Sequence, residues 1–85
     1  MDLDCGIAYD RIASWLSDEL SLPCEGARWT FAADGSSCTV TLDRLEPRRF
    51  TNLELERSHL VAKGDASAVD AFERLFTLRF MSAGG

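Results

Sequence analysis

Two alternating runs face each other across a turn signal, and no other feature of the chain restricts its fold as strongly. Trp29, Phe31 and Ala33 share one parity, with Arg28, Thr30 and Ala32 on the other. Cys38, Val40 and Leu42 share a parity opposite to Thr39, Thr41 and Asp43. Side chains alternate faces along a strand, so each run has one apolar and one polar face. Asp34-Gly35-Ser36-Ser37 lies between them, and glycine there tolerates the positive φ of a tight hairpin. The pattern predicts an antiparallel sheet covered on one side only.

Helical periodicity flanks this pair. Ala8, Ile12, Trp15, Leu16 and Leu20 recur at three- and four-residue intervals, which predicts a first helix from Leu3 to Leu22. Asp2 or Asp4 caps its start and Pro23 ends it. A second turn is expected at Glu46-Pro47-Arg48-Arg49, leading into a third strand from Phe50 to Lys63. Its parity is mixed: Leu53, Leu55 and Val61 alternate with Leu60 and Ala62, and a bulge near Arg57 to His59 would turn the latter two inward. Gly64-Asp65 then opens a last helix, with Asp65 as N-cap and Val69, Phe72, Phe76 and Phe80 as its apolar stripe. The expected fold is a single compact α+β domain over residues 1–85 with a flexible tail at 81–85. It is a two-layer sandwich in α-β-β-β-α order, a three-stranded antiparallel sheet with both helices on one face.

Composition narrows the function classes. The chain has 85 residues, 46% of them hydrophobic, with two Trp and five Phe. That suffices for one core without metal or disulfide staples. No apolar run approaches the roughly 18 residues of a membrane helix, so no membrane partner is expected. A net charge of −5 argues against nucleic acid, since phosphate neutralisation requires a surplus of Lys and Arg. Cys5, Cys24 and Cys38 make an odd count, unlike the even framework of a secreted mini-domain. The opening MDLDCGIAYD has no basic n-region, so a cytoplasmic location is expected.

The predicted element order is similar to that of the double-stranded RNA-binding domain, across most of the chain and in topology only. The resemblance implies a lysine-rich start to the last helix, seated on phosphates. Here that stretch is Asp65-Ala66-Ser67-Ala68-Val69-Asp70, which repels a phosphate backbone. The final Gly84-Gly85 resembles the tail of ubiquitin-like proteins and sulfur carriers. The resemblance covers two residues and implies a remote sulfur-carrier-like or conjugated role. In those folds strands lead into the tail, whereas a helix precedes it here.

No catalytic constellation is visible. Zinc sites favour closely paired ligands, and the three cysteines are separated by 18 and 13 residues. The single histidine, His59, excludes a two-histidine metal site. There is no GxSxG, no phosphate-binding glycine loop and no GxGxxG. Neither cofactor nor metal is expected. Arg44, Arg48, Arg49 and Arg57 are matched in number by Asp43, Glu46, Glu54 and Glu56 along the same strands. The last helix, however, has more apolar residues than one stripe hides, and Leu75, Leu78, Phe80 and Met81 are the expected contact residues. The polar sheet face (Thr30, Thr39, Thr41, Glu54) is the other candidate surface. The function expected is therefore a small non-enzymatic interaction module, contacting a protein partner or itself as a homodimer. The alternative is a small-ligand or metal-binding domain using Cys24, Cys38 and His59 with Arg48 and Arg49.

Overall fold

A computed structural model describes residues 1–81; Ser82 to Gly85, including Gly84-Gly85 and all but the first residue of the expected tail, lie outside the described residues. Five strands, β1 (Asp2–Cys5), β2 (Cys24–Glu25), β3 (Arg28–Ala33), β4 (Ser36–Phe50) and β5 (Leu53–Gly64), form one antiparallel sheet in the order β1-β5-β4-β3-β2. Helix α1 (Tyr9–Ser14) runs on into a π-helical turn (Trp15–Glu19), and α2 (Ala66–Phe80) closes the chain order.

This corrects the expected α-β-β-β-α order and its three-stranded sheet. The Asp2–Cys5 segment is not the start of a helix. Leu3 and Cys5 point inward and Asp2 and Asp4 outward, a two-residue period, and the segment pairs with β5 from Asp2–Val61 to Cys5–Ser58. Helix starts only at Tyr9, after Gly6. The second correction concerns Pro47. It does not end a strand, because it sits at a register shift between Leu45 and Arg48, where β4 has one residue more than β5. A bulge is where a sheet tolerates a residue without an N–H. The hairpin therefore turns at Thr51-Asn52, and β4 runs for 15 residues. The expected bulge at Arg57 to His59 is not there: β5 is regular, with Ser58, Leu60 and Ala62 buried and Leu53, Leu55 and Val61 on the opposite face.

The helices cover one sheet face. Trp29, Phe31, Cys38, Val40, Leu42, Leu60 and Ala62 meet Ile12, Trp15, Leu16, Ala68, Phe72 and Phe76 in one buried cluster. Phe72 lies at its centre, with ring centroids 5.7 Å from Trp15 and 5.5 Å from Phe31. Polar groups at the margin are satisfied: Trp29 Nε1–H donates to Ser17 Oγ at 2.9 Å, and the buried Ser58 hydroxyl donates to the Ile7 carbonyl at 2.7 Å. Asp65 occupies the N-cap position of α2, but its carboxylate accepts from the Ser37 N–H (3.0 Å) instead of the helix. The Asp65 N–H returns a bond to the Ser37 carbonyl, so the start of α2 is latched to the start of β4. No helix among the described residues is long and apolar enough to cross a membrane.

Candidate functional site

Among the described residues the opposite face of the sheet has no helix on it, and the strand register arranges its side chains in rungs. Lys63, Thr39 and Thr30 form the first. Asp2, Val61, Thr41, Arg28 and Glu25 form the second, and Asp4, His59 and Asp43 the third. Beyond these, β3 and β1 have ended, and only β4 and β5 continue as a two-stranded arm with the rungs Leu45–Arg57, Arg48–Leu55 and Phe50–Leu53.

The arm extends about 17 Å from Leu45 to its turn. It accounts for a long axis of 48 Å and a radius of gyration of 13.4 Å, where about 12 Å is usual for a compact domain of this length. Its two sides differ. The bulge changes the parity of β4, so that Phe50 joins Leu45, Leu53 and Leu55 on the open face, while Arg49 and Glu54 lie opposite, 3.8 Å apart. Phe50, Leu53 and Leu55 are 51%, 65% and 48% exposed. Two strands have no core of their own, and such a ribbon is marginal alone in water. At the base of the arm, Asp4, Arg48, Phe50, Leu55 and Arg57 line an open concavity of about 430 Å³.

The third rung carries the chain's single histidine. His59 Nε2–H donates to Asp2 Oδ1 at 2.6 Å, and Asp4 Oδ1 lies at 3.8 Å. The hydrogen bond to Asp2 raises the His59 pKa above its ordinary value, and the same bond holds the Asp2 carboxyl below its own. The contact joins β1 to β5, so it links pH to the pairing of an edge strand. The His59 contribution is complete below the ordinary histidine value, about 6.5, and is lost as pH rises through the higher folded value. The Asp2 contribution is present above the ordinary carboxylate value and is lost as pH falls through the lower folded one. We expect an NMR titration to place His59 above 6.5 and Asp2→Asn to return it toward that value; an unchanged midpoint in the variant would refute the link.

The structure separates the residues of the ligand-binding alternative. Cys38 faces the core, where burial raises its thiol pKa, and His59 points from the other side of the sheet. Cys24 is exposed on β2, three strand positions from β5, with Sγ 3.0 Å from the Gly26 carbonyl. Arg48 and Arg49 lie on opposite faces of the arm. Among the described residues no group of three or more His, Cys, Asp or Glu is placed to hold a metal.

The residues of the contact expectation divide. Leu78 and Leu75 on α2 are 68% and 39% exposed, and Met81, just past its end, is 50% exposed. Phe80 is instead used internally, edge-on to Trp15 at 5.3 Å and flanked by the Arg11 and Arg79 guanidinium groups. Thr30, Thr39 and Thr41 lie on the open face, whereas Glu54 has the parity of the helix side. Sequence reasoning missed the arm as a surface. Its signal was present in the alternation of Leu53 and Leu55 with Glu54 and Glu56, but assigning Pro47 to a turn removed the second strand from view.

No protein-family model matches the chain, and no curated protein and no solved structure matches it either.

Proposed function

We propose that this chain is a small, non-enzymatic protein–protein interaction module that docks through its open sheet face and the β4–β5 arm. One observation carries the reading: Leu45, Phe50, Leu53 and Leu55 lie on the same side of a ribbon that has left the core behind. Phe50, Leu53 and Leu55 are exposed and Leu45 is half-buried, and apolar side chains gathered in this way gain by being covered. Further support comes from His59, which is engaged by Asp2 rather than presented to a substrate. Cys5, Cys24 and Cys38 are all free thiols, in keeping with a reducing, cytoplasmic setting.

The test is native mass spectrometry of the protein purified from its own host, beside a Phe50→Ser/Leu53→Ser/Leu55→Ser variant. We expect the wild type to travel with another chain, of either kind, and the variant to be monomeric with unchanged circular dichroism. A wild type that leaves its host with no second chain, neither its own copy nor another protein, even at hundreds of micromolar, or one that carries a metal or small molecule instead, would overturn the proposal.

A further inference from the structure

The rungs of the open face form a chemical series that is complementary to itself when reversed. We propose that the docking partner is a second copy of this chain, packed open face to open face about a two-fold axis at the Leu45–Arg57 rung. This rests on the interaction-module reading and names its partner. A two-fold axis lying along the rungs keeps β4 over β4 and β5 over β5 but inverts the rung order, so the same patch serves both copies. One rung from the axis, Asp43 of each copy meets Arg48 of the other. Two rungs out, Thr41 and Val61 of the broad sheet meet Phe50 and Leu53 of the opposing arm tip. On the axis Leu45 meets its own counterpart, while Arg57 is drawn aside by Asp4 of its own chain at 3.9 Å.

Charge makes this register preferable to its neighbours. Among the described residues neither Asp43 nor Arg48 forms an ion pair within the chain, so each is free to meet an opposite charge. Moving the axis half a rung toward the arm tip would set Phe50 and Leu53 on the acidic rung of Asp4 and Asp43. Moving it half a rung the other way would set Arg48 on Thr41 and Lys63 on Leu53. The contact strip is five rungs long and two strands wide, because a two-stranded arm rung takes part in every pairing, which gives roughly 330 Å² per copy and about 650 Å² in total by strand spacing. That is below the size of a standard interface and in the range of weak, transient ones, so a dimer with a dissociation constant of roughly tens of micromolar is expected.

Charge reversal tests the register. Sedimentation equilibrium of the purified chain should show a dimer, and Arg48→Glu or Asp43→Lys alone should each weaken it by roughly tenfold or more. In the mixed pair the reversed charges face each other at one contact and the native charges at the other, so an equimolar mixture should restore a dimer containing one chain of each. Matching thermal transitions of the three proteins exclude misfolding as the cause. A dimer indifferent to both substitutions, or two monomeric variants that fail to rescue each other, would overturn the proposal. So would a wild type that is monomeric alone, whereas the broader reading would survive that result if the host protein still carried a different chain, lost in the Phe50/Leu53/Leu55 variant.

Discussion

Phe72→Ala is expected to lower the thermal midpoint by roughly 20 °C, because removing a fully buried phenyl ring costs about 3–5 kcal/mol. Phe72 has no exposed surface and is the point where the two layers meet, against Trp15 from the π-helical turn and Phe31 from the sheet. Both neighbours are themselves large and held by other contacts, Trp15 by Phe76 and Phe80. They have little freedom to collapse into the space, which places the cost high in the range. A domain of this length has about 4–13 kcal/mol in total, so the variant sits near the threshold of folding. Phe72→Leu, which keeps most of the volume, should recover the larger part of the loss. A midpoint within 5 °C of wild type for Phe72→Ala would mean that the helix layer is not packed as described.

Gly64→Ala should be comparably damaging although it removes nothing. Gly64 has φ of +149°, a conformation alanine strongly avoids. An added Cβ would lie 2.6 Å from both the Cys38 Cα and the Ser37 carbonyl oxygen. These are backbone atoms of the adjacent strand, and they cannot rotate away as a side-chain tip can. The neighbouring Ser37–Asp65 pair of hydrogen bonds is what latches α2 to β4, so relief of the clash comes at the expense of the latch. We expect a loss of about 3 kcal/mol or more in urea unfolding. Gly6→Ala is the control: nothing lies within 4 Å of its added Cβ and its φ is ordinary, so its effect should stay within about 0.5 kcal/mol.

The sequence was most legible where local pattern and burial coincide. Trp29 and Phe31 alternate with exposed neighbours and are buried, as are Cys38, Val40 and Leu42, and the turn between the two strands falls at Asp34-Gly35. In α2 the spacing of Phe72 and Phe76 marks the buried stripe. Legibility failed where two local signals competed. Asp2 and Asp4 suit the first turn of a helix by charge and the outer face of a strand by parity, and only pairing with β5 decides between them. Pro47 suits a turn by its ring, but tertiary register places it in a bulge inside a 15-residue strand. A two-residue strand such as Cys24–Glu25 is too short to have a period at all. The candidate surface depends on the middle case, since moving the turn from Pro47 to Thr51-Asn52 is what creates the arm.

The bulge also has a bearing on how the chain avoids aggregation. A ribbon with an apolar face and two unpaired edges is the shape that seeds open-ended strand addition and, eventually, fibres. Here the β4 edge is interrupted by Pro47, which offers no N–H to an incoming strand, at the point where the ladder is already out of step. Glu46, Arg48, Arg49, Glu54, Glu56 and Arg57 surround the four apolar residues with charge. Such flanking charges act as gatekeepers for a hydrophobic strand that must stay exposed. The arm is thus protected along its edges while its face stays open, and growth by repeated strand addition is discouraged without closing the surface to a partner.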